Sequence, residues 1–376
     1  MRKRKRLVIV GGGHAHLELL SRLKSIIQLG HEVVLINPSP FHYYSGMGPG
    51  LLSGFYRPEQ VRFPVQAMAC RHGARFIQDR LVGIDTATKQ LSLASGEVLD
   101  YDAATVNIGS EVSMPKDRFD PAWCVPVKPI ENLVEVRSRL LASVKESGHP
   151  VVVVGGGAAG VELAANLSFL RRTGGFVGDV ILVSKSLLLG EFPPRGQQLA
   201  RRYLQKSGVV IREGERVTQV EQGRAVLEGG ELIDCCLTLL ATGIHPPSLL
   251  AQAGLTTADD GGLLVNRQLQ SVDDPNLFGG GDCVSMVGQS LARVGVYAVK
   301  QGPVLAHNIL ACLTDQPLQT FSPQQRFLQI LNLGEGRGLL RWNGIVWHGR
   351  GPFLLKDFID SRFMRRFQPA NTPNNL

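Results

Sequence analysis

No apolar run in this chain of 376 residues reaches the length of about 18 that argues for a membrane-crossing helix. The basic start, Met1–Arg6, is followed by only Leu7–Val10 before a run of glycines, too short for the apolar centre of a secretory signal. These two absences lead to the expectation of a cytosolic protein, or one lying on the cytosolic face of a membrane. The cysteines, Cys70, Cys124, Cys235, Cys236, Cys283 and Cys312, form no CxxC pair. That excludes zinc-ribbon and thioredoxin-like readings, and nothing in their number needs an oxidising compartment. Adjacent Cys235 and Cys236 sit in an apolar run and read as strand residues. Zinc-finger spacing, an aromatic RNP-type sheet and a basic-region helix are also missing, so the net charge of +8 is not read as nucleic-acid binding. Acidic lipid is the more economical partner for that charge, beside the plainer reading of a solvated basic surface.

What the chain does have is glycine at the ends of apolar runs. In Val151–Leu167, VVVVGGGAAGVELAANL, four β-branched residues read as a buried strand, Gly155–Gly157 break it, and small apolar residues follow as a helix. Gly155, Gly157 and Gly160 therefore have the strand–turn–helix setting in which backbone can approach a pyrophosphate at a helix N-terminus. One such loop is weak, because glycines also make ordinary turns. Here Leu7–Leu20, LVIVGGGHAHLELL, repeats the plan, with Gly11 and Gly13 in register with Gly155 and Gly157. Two nucleotide loops in one chain suggest two nucleotides placed for electron transfer.

The first unit departs from the pattern twice. His16 stands where the third glycine belongs, so the helix His14–Gln28 is expected to stand slightly off its strand. Asn37 ends strand Glu32–Ile36 where an acid would bind ribose hydroxyls; Asn can still hydrogen-bond ribose, more weakly. His14 and His16 have no third ligand nearby, so no metal site is expected. Tyr43–Gly54 reads as a glycine-rich loop without helical or strand period, and Ala74–Asp102 as a small antiparallel excursion before strand Ala103–Ile108 stops at Gly109. Four prolines between Val112 and Pro129 mark a crossing, followed by a helix from Ile130 to Lys145. The second unit lacks its ribose acid too, since strand Asp179–Val183 ends in Ser184-Lys185-Ser186. Lys185 could pair with a 2′-phosphate, which favours NADPH; alternatively it points to solvent. After helix Gly196–Lys206, strand Cys236–Ala241 closes at Thr242-Gly243, and Pro246 and Pro247 mark the return. LFGGGDCV, Leu277–Val284, is a third glycine-rich strand end. Asp282 there could accept sugar hydroxyls or act as a structural cap. Leu291–Leu313 reads as a helix broken near Gly302-Pro303. The tail holds strands around Phe327–Leu333 and Ile345–Trp347, then Phe353–Phe367, whose large apolar residues edged by Lys356, Arg362, Arg365 and Arg366 have the character of a helix lying in a membrane interface. Packing on the protein body or on a dimer partner is the other reading of that stripe.

In their order, GGGHAH, YYSGMGPG, Asn107-Ile108-Gly109, GGGAAGVE, ATGIHPP and LFGGGDC resemble the two-dinucleotide flavoproteins of the pyridine nucleotide-disulfide oxidoreductase superfamily, over nearly the whole chain. YSGMGPG and GVYAVKQGP are most similar to type II NADH dehydrogenases and to the flavoprotein module fused to selenophosphate synthetase. The CxxxxC pair of the disulfide members has no counterpart between Gly13 and Cys70. The resemblance implies an α/β protein of two Rossmann-like dinucleotide-binding domains, the second inserted in the first, with a C-terminal α+β tail: FAD-binding residues 1–125 and 246–320, NAD(P)-binding residues 126–245, and a tail 321–376.

It also implies that Gly11, Gly13 and His16 hold the FAD pyrophosphate, Asn37 the adenosine ribose, Val82 the adenine through its backbone and Asp282 the ribityl chain, with Pro49 and Gly109 bordering the flavin. Gly155, Gly157 and Gly160 would hold the NAD(P) pyrophosphate, and Gly243 and Gly281 border the cofactors at strand ends. Glu162 would face nicotinamide and flavin, and Gln301 flavin and quinone; a first-turn acid is also stabilised by its helix dipole. The implied activity is hydride transfer from NADPH or NADH to FAD, then reduction of a quinone, in a peripheral membrane enzyme for which a homodimer is also open. The rival readings are a sulfide:quinone enzyme, for which Cys124 and Cys283 are the stand-ins for flavin-side cysteines, an oxidoreductase with a soluble acceptor, and a non-catalytic flavin sensor.

Overall fold

The apolar runs Leu7–Val10 and Val151–Val154 are buried along their whole length. Each is the central strand of a five-stranded parallel sheet, the setting in which both faces of a strand are covered. The computed structural model describes residues 4–142 and 148–368; Met1–Lys3 of the basic start, and the end of the helix expected up to Lys145, lie outside the described residues.

The first sheet runs Leu277–Gly279, Ala103–Val106, Arg6–Val10, Glu32–Ile36, Arg75–Ile77. The second runs Cys124–Pro126, Leu237–Leu240, Val151–Val154, Val180–Ser184, Val209–Glu213. The chain completes the second sheet before its return strand, Leu277–Gly279, joins the first. The fold is therefore α/β with two Rossmann-like sheets, one inserted in the other. The two crossings lie side by side, where Glu111–Val112 pairs antiparallel with Ile244–His245. The excursion between Ala74 and Asp102 holds a three-stranded antiparallel sheet, Leu81–Asp85, Gln90–Leu93 and Val98–Asp100.

Several local expectations change. Tyr43–Gly54 is no loop: a 3₁₀ turn at Ser45–Met47 leads into helix Gly48–Ser53, with Pro49 in its first turn, where the missing N–H costs nothing, and Gly54 as left-handed stop. Helix Gly295–Thr314 runs unbroken through Pro303, and Gly302 lets it lie against Ala15, whose carbonyl would be 3.3 Å from an added Cβ. The tail has three antiparallel strands, Gln329–Asn332, Gly338–Trp342 and Ile345–Gly349, before the C-terminal helix Arg350–Phe367.

That helix does not present one apolar stripe outward. Phe353, Met364 and Phe367 are buried with Asp360 on its inner face, whereas Leu354 and Phe358 are 64% and 57% exposed. A helix laid on a protein must bury one face, and the spacing 353, 360, 364, 367 selects it. Polar ties fix it there: Tyr56 donates to Asp357 at 2.6 Å, and Arg366 pairs with buried Glu18.

Candidate active site

The first glycine loop is shaped by what cannot fit. Gly11 has φ +87, and a Cβ on it would stand 2.3 Å from the Asn107 carbonyl oxygen; one on Gly13 would stand 2.6 Å from the Asn107 carboxamide. The bare backbone therefore borders a cavity of about 850 Å³. The Gly12 N–H donates to Asn37 Oδ1 at 2.8 Å, and Asn37 Nδ2 donates to the Ser39 carbonyl. Asn37 lines the cavity, but its side chain is engaged in holding the loop.

His16 stands behind the loop. Its ring is fully buried outside the cavity lining, with Nδ1 2.6 Å from the Gly11 carbonyl and Nε2 2.9 Å from Thr105 Oγ1. It bonds the loop from behind, and the helix opens as a 3₁₀ turn over His14–His16. In the second loop, where Gly160 keeps the third position, a Cβ would come within 1.8 Å of the Gly155 carbonyl.

Around the cavity, Gly109 has φ +75 and faces open space, Pro49 contributes its ring, and Gly281, at φ +77, has no room for a Cβ beside Asn107 Oδ1. Asp282 Oδ2 accepts from Lys128 Nζ and from Ser110 Oγ, both at 2.8 Å. Burial alone would raise the Asp282 carboxyl; the Lys128 ammonium and these hydrogen bonds outweigh it and hold the group below its ordinary value. His14 and His42 touch at 3.3 Å, and burial pushes His14 down to about 4, so both rings stay neutral.

A carbonyl cradle closed to side chains, the buried and unpartnered Asn107 Nδ2 beside it, and a cavity of this size all fit FAD. Gln301 and Val82 are not among the residues that line the cavity. Gln301 is buried behind the wall, where its Oε1 accepts from the Gly281 N–H at 2.7 Å, so it positions that turn and does not face the cavity. Val82 is half-exposed one residue beyond the lining, which Asp79, Arg80 and Leu81 supply.

The second loop opens beside the same cavity. Gly155 has φ +128 and sits 2.4 Å, measured from an added Cβ, from the Ala241 carbonyl; Gly156 packs on Ser184, which ends its strand buried. Gly157 faces open space, as a pyrophosphate approach requires. Lys185 is exposed, and Gly243 is exposed beside Thr242, which lines the cavity. Helix Ala158–Arg172 carries Ala158, Ala159 and Glu162 into the cavity wall. Glu162 Oε1 accepts from the Asn332 N–H at 2.6 Å. Burial pushes Glu162 up to about 7, against the pull of the Lys356 ammonium and the Asn332 hydrogen bond.

Three residues of this wall had no sequence signal as site residues. Lys356 Nζ donates to the Gly46 carbonyl and to Asp360 Oδ2, each at 2.7 Å, and Tyr44 donates to Asp360 Oδ1 at 3.0 Å. Burial and the Asp360 carboxylate push the Tyr44 phenol well up, so it remains a donor. The i,i+4 spacing of Lys356 and Asp360 was the available clue, but it reads equally as a solvated helix edge.

Among the described residues, no cysteine lines the cavity. Cys283 lies buried with Sγ against the Val106 and Gly280 carbonyls and its thiol pushed up to about 11, and Cys124 is a buried strand residue at about 12, burial being the first cause in both. A sulfide mechanism that needs thiols at the flavin finds none there.

The profile of the pyridine nucleotide-disulphide oxidoreductase family matches residues 5–308. Ferroptosis suppressor protein 1 of Taeniopygia guttata is 28% identical over 353 residues, which cover 90% of this chain and 89% of that relative. Demethylphylloquinone reductase NdbB of Synechocystis is 24% identical over 371 residues, covering 95% and 91%. The structure of NDH2 from Plasmodium falciparum in complex with NADH has a TM-score of 0.80 at 14% identity, over 96% of this chain and 97% of that one, a likeness of fold.

Proposed function

The chain belongs to the pyridine nucleotide-disulphide oxidoreductase family, and from that premise we propose that it is an FAD-dependent NAD(P)H:quinone oxidoreductase of the type II NADH dehydrogenase kind. One observation carries the reading: a single cavity touches the first glycine loop at Gly11–Gly13, the second loop's helix at Ala158, Ala159 and Glu162, and the C-terminal helix at Ile359 and Phe363. Ile359 is also 43% exposed, so the cavity meets the outer apolar face of that helix, an entry suited to a lipid-soluble acceptor. The name of the Synechocystis relative, a demethylphylloquinone reductase, agrees with such an acceptor.

FAD, held by the residues of this cavity, would supply the two-electron chemistry between a nicotinamide donor and the acceptor. The residues of this chain do the rest. Gly11, Gly13, Gly281 and the Asn107 carboxamide would seat the cofactor, and Asp282 with Lys128 would meet its sugar chain. Gly155, Gly157 and Gly160 would seat the nicotinamide nucleotide so that its ring lies in the cavity, which turns a bimolecular step into a nearly unimolecular one. Glu162, ionising near 7, holds a proton in the cavity wall for the reduced acceptor. The neutral His14 and His42 line the same wall without adding charge. Anaerobic mixing of enzyme prereduced by NAD(P)H with a short-chain quinone tests this. We expect stoichiometric reoxidation; an enzyme whose flavin stays reduced in the presence of the quinone would overturn the reading.

Lys185 is expected to read the 2′-phosphate beside buried Ser184. Lys185→Ala should lower the NADPH-to-NADH ratio of kcat/KM by about tenfold, the worth of one charge-assisted contact; an unchanged ratio assigns the lysine to solvent.

Among the described residues, no helix is long and apolar enough to cross a membrane. The exposed side chains Leu354, Leu355 and Phe358, with Trp342, Ile345 and Trp347 on the neighbouring strands, form an apolar outer surface suited to peripheral docking on a bilayer. Deleting the helix would also remove Phe353, Lys356 and Asp360 from the interior, so substitution of outer residues is the sound test. Leu354→Glu with Phe358→Glu should abolish salt-sensitive co-sedimentation with anionic liposomes while leaving the flavin content intact. Equal binding by both proteins would remove the membrane role from this surface.

A further inference from the structure

We propose that Asp360, oriented by Tyr44, is a positioning residue that engages Lys356 and so keeps the proton of Glu162 available in the cavity. The inference rests on the placement of Glu162 beside the reaction in the reading above. It gives a purpose to an ion pair that amphipathic patterning would assign to the outside of the C-terminal helix.

Four observations carry it. Lys356 and Asp360 are nearly enclosed, with side-chain exposures of 12% and 6%. The ammonium has two fixed acceptors, the Gly46 carbonyl and Asp360 Oδ2, each at 2.7 Å. The other oxygen of Asp360 is held by the Tyr44 hydroxyl at 3.0 Å. Glu162 and these partners all line the same cavity. The groups that face Glu162 can be named element by element. Strand Gln329–Asn332 offers the Asn332 N–H at 2.6 Å, and the C-terminal helix offers Lys356 and Asp360. Helix Gly48–Ser53 and strands Val151–Val154 and Val180–Ser184, packed on helix Ala158–Arg172, have no ionisable side chain. Helix Pro194–Lys206 adds Arg195, Arg201, Arg202, Tyr203 and Lys206, and strand Val209–Glu213 adds Arg212 and Glu213; of these, Arg201 pairs with Glu213, and Arg212 with Glu215 and Glu231.

Charge then decides the outcome. Lys356 and Asp360 together are neutral, so Glu162 is a second carboxyl beside a cation that already has a carboxylate. Its proton is released near neutrality, as the rise to about 7 by burial, opposed by Lys356 and aided by Asp360, agrees. If Asp360 lost its charge, the repulsion would go and the Lys356 cation would act on Glu162 without an opposing carboxylate beside it. Both changes favour the ionised form. Losing the charge of Lys356 would act in the opposite sense.

The test uses the full-length holoenzyme with infrared difference titration of the Glu162 carboxyl, identified by its disappearance in Glu162→Gln, alongside the pH profile of quinone-driven flavin reoxidation. Asp360→Asn is expected to move the carboxyl titration down by about one pH unit or more, and Lys356→Met to move it up by a similar amount. Tyr44→Phe, which leaves the charges in place, should give a smaller downward shift as Asp360 loosens its hold on the lysine. A purely structural role would not produce shifts of opposite sign. If Asp360→Asn and Lys356→Met both left the titration in place, or moved it the same way, the inference would be overturned; if Asp360→Asn does not fold, Lys356→Met and Tyr44→Phe decide it by the same signs. Carboxyl shifts as expected with an unmoved reoxidation profile would uphold the positioning role and refute Glu162 as the proton source in the proposed reaction.

Discussion

Gly13→Glu is expected to give a folded, colourless protein that no longer binds FAD. The added Cβ would stand 2.6 Å from the Asn107 carboxamide, and the carboxylate beyond it would enter the wall where the pyrophosphate must lie. An unpaired charge against an anion in a partly buried site costs several kcal/mol. At about 1.4 kcal/mol per tenfold, a loss of about 1,000-fold in affinity follows. Flavin absorbance per chain after gel filtration reads the result, and circular dichroism reads the fold. Stoichiometric FAD in this variant would remove the first loop from the cofactor site.

Gly155→Val should separate the two nucleotides. Gly155 adopts φ +128, where a β-branched residue is strained, and its Cβ would stand 2.4 Å from the Ala241 carbonyl, a backbone atom with little freedom to retreat. Strain and overpacking of this kind cost about 3 kcal/mol together, so the rate of flavin reduction at a fixed low NAD(P)H concentration should fall by about 100-fold. FAD content should be unchanged, because the first loop and its cavity wall are untouched. Wild-type reduction by NAD(P)H would mean that the second loop is not the nicotinamide site.

These two loops were the most legible part of the sequence, for a physical reason. A buried parallel strand, a glycine turn and a small-residue helix are all local, and the requirement at Gly11 and Gly155 is set by carbonyls at the ends of neighbouring strands. The nested order of the sheets was what the resemblance to the two-dinucleotide flavoproteins implied, and no local signal carried it. What lay beyond reach was side-chain direction. His16 and Gln301 stand at positions expected to face cofactor, yet both turn into the protein, one to bond the Gly11 carbonyl and the other the Gly281 N–H. Val82, expected at the adenine through its backbone, lies one residue beyond the cavity lining. The C-terminal helix was legible as amphipathic but not as to which side faces the protein. Lys356 and Asp360 find Gly46, Tyr44 and Glu162 only through tertiary packing, and no periodicity within the helix encodes those partners. The helix Gly48–Ser53 was missed because Gly48, Pro49 and Gly50 mask it; its buried residues show that packing overrides their poor propensity.

Anaerobic stopped-flow mixing of the oxidised holoenzyme with NADPH, and in parallel with NADH, tests the central claim most directly, because it isolates hydride transfer across the cavity from any choice of acceptor. The flavin should bleach completely within one stoichiometric addition of at least one of the two nucleotides, in a single phase that saturates with concentration. A flavin that stays oxidised with both would contradict the account, and would leave the chain a flavin-binding module whose second nucleotide loop does no redox work.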